Sequence, residues 1–261
     1  MVKDSCARIT HKENWEAYFA LSFVSPEIAS SAQPGQFIMV RVSQGTHPLL
    51  RRPFSIFSAR QDTIAIFFQK AGLGTSLLSQ KREGESLDIL GPLGKGFSVP
   101  ATEGKGRVAL VGGGRGVAPL YFLAERLRPL NIEAKLYYGA KSSSDLPLKA
   151  RMEEENIILC CSTEDGSAGF KGLITEAFES DIGSARPERI YACGPELMLR
   201  RIAQTAQAHN IPAELSLESI MGCGFGACWG CVKKIKREDG INWRKLCEEG
   251  PVLPAGEIIW E

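Results

Sequence analysis

Four cysteines crowd the last 39 residues of this 261-residue chain: Cys223, Cys228, Cys231 and Cys247. Their spacing is C-x4-C-x2-C, with the fourth cysteine after fifteen further residues. Three thiolates from one tight loop can wrap a small metal cluster. Glycines at 222, 224, 226 and 230 let backbone N–H groups come close to the sulfurs. This is the spacing of plant-type [2Fe–2S] ligation. A four-cysteine zinc site would use the same ligands, although such sites more often come as two separated C-x2-C pairs. Disulfides fit less well, because the chain is long for a disulfide scaffold and begins with no secretory signal pattern. The other four cysteines, Cys6, Cys160, Cys161 and Cys193, are scattered.

A second constellation is the glycine turn Gly112-Gly113-Gly114-Arg115-Gly116-Val117-Ala118-Pro119, which follows an apolar run and opens a helical pattern. Such a turn can seat a pyrophosphate against the free amides of a helix N-terminus. It departs from the G-x-G-x-x-G fingerprint, because Ala118-Pro119 stands where a third glycine would. An ordinary strand-to-helix turn is therefore the alternative. Further on, Ala192-Cys193-Gly194-Pro195 ends a later strand at the edge where α/β sheets gather ligands. Cys193 could contact a nicotinamide ring there, or simply fill the core.

A third constellation pairs Arg51-Arg52-Pro53-Phe54-Ser55 with Gly72-Leu73-Gly74-Thr75. An arginine can grip a diphosphate bidentately, and a Gly-Thr pair at a helix start can hold a phosphate. A solvated arginine pair beside a turn would look the same. The three histidines, His11, His47 and His209, are isolated and read as surface or packing residues. No carboxylate dyad, Ser/His/Asp set or Cys/His pair suggests chemistry on a further organic substrate.

Three kinds of segment must position these residues. From Ala7 to about Val99, short β-rich runs (Ala17–Val24, Gln36–Val42, Thr63–Gln69) alternate with Pro/Gly turns and predict a small antiparallel barrel. Gly104–Gly106 reads as a linker. The rhythm then becomes strand and helix in alternation: Arg107–Val111, Ala118–Leu127, Ala134–Tyr138, Ile157–Cys160, Leu173–Phe178, Arg189–Ala192, Pro195 to about Ala208, and Ala213–Leu217. Five strands predict a doubly wound parallel sheet. Beyond Glu218 periodicity stops, and the tail is expected to need something other than hydrophobic burial to staple it. The fold class is thus multi-domain β plus α/β. Its parts are a β-barrel over 1–102, a doubly wound five-stranded parallel sheet over 103–217, and a small metal-binding tail over 218–261.

With these pieces in this order, the chain resembles the ferredoxin–NADP reductase superfamily, in which an FAD-binding barrel precedes a nicotinamide-binding α/β domain. More narrowly it looks like the electron-transfer subunits of type B dihydroorotate dehydrogenases. The resemblance rests on Arg52-Pro-Phe-Ser55, Leu90-Gly-Pro-Leu-Gly94, the GGG-x-G-V-A-P turn, Cys193-Gly-Pro, and the tail ending Cys247-Glu-Glu-Gly-Pro-Val252. It implies FAD held by Arg52, Pro53, Phe54 and Ser55, by Phe67, Phe68 and Gln69, and by Gly74 and Thr75. It implies NAD(H) over Gly112, Gly113, Gly114, Cys193 and Gly194, and a [2Fe–2S] cluster on the four tail cysteines. Two positions depart from the pattern. Arg115 replaces a small or apolar residue, which leaves NADH versus NADPH open, and the gap before Cys247 is long, with Lys233–Gly240 as a charged surface hairpin.

The expected activity is that of an NAD-linked flavoprotein oxidoreductase subunit in pyrimidine biosynthesis. Hydride carries two electrons and a [2Fe–2S] cluster takes one at a time, so a flavin between them is the converter. By resemblance, the electron partner is a separate FMN-containing catalytic subunit that oxidises dihydroorotate, within a heterotetramer. A hydrogenase, a sulfite reductase or a ferredoxin–NAD(P) oxidoreductase is the alternative context, and a zinc-stapled dinucleotide-binding module without redox turnover is the alternative class. Thirty-one basic against thirty acidic residues give a net charge of +1, with no basic run that would mark nucleic acid or a membrane surface as partner. No apolar stretch reaches membrane-spanning length, and a cytoplasmic location is expected.

Overall fold

The computed structural model describes residues 1–99, 106–184, 186–237 and 240–260. The linker expected at 104–106 falls mostly outside them.

The first unit is a closed antiparallel barrel. Its elements are β1 (Val2–Trp15), β2 (Tyr18–Val24), the short α1 (Pro26–Ser31), β3 (Phe37–Arg41), β4 (Arg52–Arg60), β5 (Thr63–Gln69), α2 (Leu73–Ser79) and β6 (Ser86–Leu93). The strands close in the order β1-β2-β5-β4-β3-β6. Alternation drives the closure: along β6, every second residue from Leu87 to Leu93 is buried. Register shifts in β1, between Asp4 and Ala7 and between Ile9 and His11, bend this long strand so that it pairs with both β6 and β2.

The second unit contains β7 (Arg107–Gly113), α3 (Val117–Leu127), β8 (Glu133–Ala140), α4 (Lys149–Glu154), β9 (Ile158–Thr163), β10 (Phe170–Lys171), α5 (Ile174–Ile182), β11 (Arg189–Cys193), α6 (Glu196–Ala208) and β12 (Ala213–Ser216). The tail adds the hairpin β13 (Val232–Arg237) and β14 (Gly240–Lys245), then α7 (Leu246–Glu249) and β15 (Val252–Pro254). The sheet runs β10-β9-β8-β7-β11-β12-β15. The five expected strands are its parallel core, and their chain order reverses between β7 and β11. That reversal is the switch point at which such sheets bind ligands.

The sheet nevertheless has seven strands, not five. The two-residue β10 and the three-residue β15 are too short to carry a periodic signal. β15 pairs antiparallel with β12, placing Leu253 opposite Leu215. The tail also joins the core. Ile235, Leu246 and Leu253 are buried in one core with Val111, Ile190 and Leu215 of the sheet and with Phe37 and Met39 of the barrel. The tail is therefore held by apolar burial and by strand pairing as well as by whatever its cysteines bind.

The barrel and the sheet are fastened directly to one another. Phe122 of α3 is fully buried in the barrel's own apolar cluster. Glu125, one turn on, accepts from Ser58 Oγ at 2.8 Å and Arg60 Nε at 2.7 Å. The Tyr18 hydroxyl donates to Asp145 at 2.9 Å, and the Tyr191 hydroxyl donates to the Ser98 carbonyl at 2.8 Å. The helix behind the glycine turn is thus fixed against the strand that starts with Arg52. No helix among the described residues is long and apolar enough to cross a membrane.

Candidate functional site

The tail loop is shaped by left-handed backbone at Gly224 (φ 85°), Gly226 (φ 83°) and Trp229 (φ 59°). Such residues turn N–H groups inward. Gly226 N–H donates to Cys247 Sγ at 3.1 Å, Cys228 N–H to Cys223 Sγ at 3.4 Å, and Cys247 N–H to Cys231 Sγ at 3.4 Å. Burial opposes ionisation of Cys223. Hydrogen bonds from the Phe225 and Cys228 amides, from the Cys228 side chain and from the Ala227 amide outweigh it and bring the thiol down to about 7. Cys247 goes the other way. Burial and the bond shared with the Cys231 thiol push it up to about 12, against the pull of the Gly226 amide.

Among the described residues no three His, Cys, Asp or Glu side chains converge on a point that would hold one metal ion. The four free thiols fall instead into two pairs, each linked by an amide–sulfur hydrogen bond, Cys223 with Cys228 and Cys231 with Cys247. A two-iron cluster needs two protein thiolates on each iron, so two pairs fit it where a single tetrahedral ion would need one convergent set. The pairs differ in exposure. Cys228 is exposed and Cys223 half-buried, whereas Cys231 and Cys247 are 1% and 2% exposed.

On the barrel, the arginine pair divides its labour. Arg51 donates to the Asp88 carbonyl at 2.7 Å and the Asp88 carboxylate at 2.8 Å, tying the start of β4 to β6. Arg52 lies across the first turn of α2. A Cβ at Gly74 would sit 3.0 Å from its Nε and 3.2 Å from its Cγ, so glycine there lets the arginine pack closely on the turn. Thr75 Oγ1 accepts from the Ala71 and Gly72 amides at 2.9 and 3.0 Å and fixes the turn. Pro53 is exposed, and Ser55 and Gln69 are half-buried. The rings of Phe54, Phe67 and Phe68 are core side chains, with Phe68 stacked on Phe19 and Phe67 stacked on Tyr18. What β5 can offer a flavin is its backbone edge and Gln69.

At the switch point the two nicotinamide-side motifs touch. A Cβ at Gly116 would lie 2.1 Å from the Cys193 carbonyl oxygen, and one at Gly194 would lie 3.0 Å from the Gly113 nitrogen. Gly112 is held against Val117 and Leu120, where a Cβ would meet Val117 Cα at 3.1 Å. Gly114 (φ 52°) has no neighbour within 4 Å of such an atom, so its backbone faces open space. The result is a bare backbone cleft at the N-terminus of α3, a fit for a pyrophosphate. Cys193 is 5% exposed and burial pushes its thiol up to about 12, so it is a neutral wall and not a nucleophile. Arg115 is exposed on the turn. Met198 was missed in the sequence. Its sulfur stands 2.8 Å from a Cβ at Gly113 and its methyl 2.7 Å from one at Gly194, so it floors the cleft. The only signal was its place one turn after Pro195.

Two family models match the chain: the iron–sulfur cluster binding domain of dihydroorotate dehydrogenase B over residues 218–259, and the oxidoreductase NAD-binding domain over residues 110–204. The dihydroorotate dehydrogenase B (NAD(+)) electron transfer subunit of Desulforamulus reducens is 37% identical, with 93% of each chain covered. That of Geobacillus thermodenitrificans is 38% identical, covering 94% of this chain and 93% of its own. Among solved structures, the NADH-dependent reduced ferredoxin-NADP oxidoreductase, described for flavin-based electron bifurcation, superposes with a TM-score of 0.84 at 29% identity, covering 98% of this chain and 91% of that one. A Neisseria gonorrhoeae ferredoxin NADP+ reductase with bound FAD and NADP shares the fold, with a TM-score of 0.60 at 20% identity over 79% of this chain and 90% of that one. By sequence and by architecture, this chain belongs to the family of dihydroorotate dehydrogenase B electron transfer subunits, NAD-linked flavoprotein oxidoreductases.

Proposed function

We propose that this chain shuttles electrons between NAD(H) and a separate FMN-containing catalytic subunit that oxidises dihydroorotate, using FAD and a [2Fe–2S] cluster, within a cytoplasmic heterotetramer. The observation that carries the reading is the pairing of the four tail thiols on a chain that also presents a bare-backbone dinucleotide cleft. When bound, FAD and the cluster supply the conversion between two-electron hydride chemistry and one-electron transfer. The chain's residues do the rest. Gly112–Gly114 and the N-terminus of α3 hold the dinucleotide pyrophosphate, while Cys193, Gly194 and Met198 wall its reactive end. Arg52 and Thr75 hold the flavin diphosphate. The amides of Gly226, Cys228 and Cys247 orient and stabilise the cluster sulfurs.

Glu164 and Asp165 leave the carboxyl end of β9, their amides bonded to the Ala140 and Lys141 carbonyls. Carboxylates at that edge favour a free ribose 2′-hydroxyl over a 2′-phosphate, which supports NADH over NADPH despite Arg115.

The test is an anaerobic spectrum of the purified protein. Flavin bands and broad cluster absorption that bleach on NADH addition are expected, and a colourless, zinc-containing protein overturns the reading. The close superposition on the reduced ferredoxin-NADP oxidoreductase keeps a second electron partner in view. A tagged copy therefore has to recover an FMN-containing subunit and reduce NAD with dihydroorotate; recovery of a ferredoxin or hydrogenase component instead changes the partner and not the chemistry.

The arginine pair gives a sharper expectation. Arg52→Ala removes charge-assisted hydrogen bonds of about 1.5–3 kcal/mol, so FAD affinity falls about ten- to a hundredfold. Arg51→Ala retains FAD but leaves Asp88 with only the 4.0 Å approach of Arg41 and unties the start of β4 from β6, so it lowers the melting temperature. Flavin content after desalting, read beside thermal melts, separates the two, and full FAD retention by Arg52→Ala removes that arginine from the diphosphate site.

A further inference from the structure

One ion pair beside the thiols has no part in the reading so far. Lys245 ends β14 and Glu248 sits on α7, so the two flank the fourth ligand, Cys247, in sequence. The Lys245 ammonium lies 2.5 Å from the Glu248 carboxylate and 3.4 Å from the Gly226 carbonyl, and it stands 5.2 Å above the Trp229 ring. It thus touches the three-cysteine loop at two places and the short helix at a third. The Glu248 carboxylate closes the contact from the other side: a Cβ at Gly226 would fall 2.2–2.3 Å from its carboxyl atoms. Gly226 is the residue whose N–H donates to Cys247 Sγ. Both members of the pair therefore meet at Gly226, the residue that solvates the fourth sulfur, and the lysine also covers Trp229 of the same loop.

From this convergence we infer that Lys245 and Glu248 form a charge clamp that presses the Cys223–Cys231 loop onto the Cys247 helix and sets the reduction potential of the cluster bound there. The inference rests on the cluster reading proposed above. Lys245 and Glu248 are positioning residues, since neither is a ligand. The sign of their effect follows from electrostatics. Reduction adds a negative charge to the cluster, which a nearby ammonium stabilises and a nearby carboxylate opposes. In the native pair the two effects largely cancel. Removing one partner leaves the other's charge uncompensated against Gly226, whose amide donates to Cys247 Sγ. At this partly exposed site, with side chains 23% and 43% exposed, solvent screens that charge and limits its weight to about a factor of ten.

The experiment is an anaerobic redox titration of the holoprotein, following the reduced cluster by EPR with the flavin read optically alongside. In Lys245→Met the ratio of reduced to oxidised cluster at fixed potential is expected to fall about tenfold, a midpoint about 59 mV lower for one electron. In Glu248→Gln the ratio is expected to rise by a similar factor. Lys245→Arg and the double variant should stay within about threefold of wild type, and the flavin midpoint should not move. If Lys245→Met loads iron poorly, Glu248→Gln still decides the question, because it removes the opposing charge and leaves the lysine in place. Iron-replete single variants whose ratios match wild type overturn the clamp alone. A wild-type holoprotein without iron overturns the cluster reading beneath it.

Discussion

Serine in place of Cys231 or Cys247 is expected to empty the tail of iron while leaving the flavin and its reduction by NADH intact. Both side chains are almost wholly buried, and each is one half of the inner thiol pair. Losing residues that merely orient metal ligands costs about 10–100-fold in affinity, and losing a ligand exceeds that. A serine hydroxyl in the same place can still accept the amide that each sulfur accepts now, from Gly226 at 247 and from Cys247 at 231, so the loss is expected in the metal, for which an alkoxide is a poorer soft-metal ligand than a thiolate, and not in the fold. Iron and acid-labile sulfide should fall more than tenfold, whereas bound FAD and the rate of flavin bleaching by NADH stay near wild type, because Arg52 and the glycine cleft lie on other elements. Cys228→Ser is the graded comparison. Its thiol is exposed, so a partial loss of cluster with little loss of stability is expected. Full iron content in Cys231→Ser and Cys247→Ser would remove these two from the ligand set.

How much of this was legible in the sequence depended on whether a feature is local. Strands β2, β3 and β5 of the barrel and the five parallel strands announce themselves because each contains a continuous apolar or alternating run of at least four residues, whereas β1 is mostly polar and breaks its alternation at two register shifts. The glycine turn and the cysteine spacing are equally local. What escaped is what only the fold brings together. Strand β15 is three residues and ends in proline, so nothing in Val252–Pro254 reveals that it completes the sheet beside Leu215. Arg51 and Arg52 are neighbours with identical chemistry, and only the fold separates them: Asp88 approaches Arg51 from β6, whereas Arg52 lies over the first turn of α2 and donates to the Leu50 carbonyl. The family resemblance implies Phe54, Phe67 and Phe68 beside a flavin without saying whether ring or backbone would face it. The closed barrel and its packing against α3 show that the rings are core, because β-strand alternation sends each into a face that is covered. The conformational freedom of Gly226 was visible as cluster-loop geometry, but the carboxylate of Glu248, twenty-two residues on, was not.

Gly116 carries the other large effect, and its reason is space alone. Its φ of −62° is one that any residue adopts. A Cβ, however, would lie 2.1 Å from the Cys193 oxygen, 2.5 Å from the Cys193 carbon and 2.7 Å from the Gly194 nitrogen. All three are backbone atoms, so no rotamer change relieves the clash, and Gly116→Ala has to separate the start of α3 from the end of β11. Those are the two walls of the switch-point cleft, the glycine turn on one side and Cys193-Gly194 on the other. A displacement of about 1 Å between groups that orient a reacting ligand costs about a hundredfold in rate. The expected result is therefore a fall of that order in flavin bleaching by NADH, measured by stopped flow, with iron and FAD contents unchanged. Gly183→Ala, where a Cβ meets nothing within 4 Å, should match wild type. If Gly116→Ala folds and reduces its flavin at the wild-type rate, the dinucleotide does not react across this cleft, and the route of hydride into the protein must be sought elsewhere on the sheet's carboxyl edge.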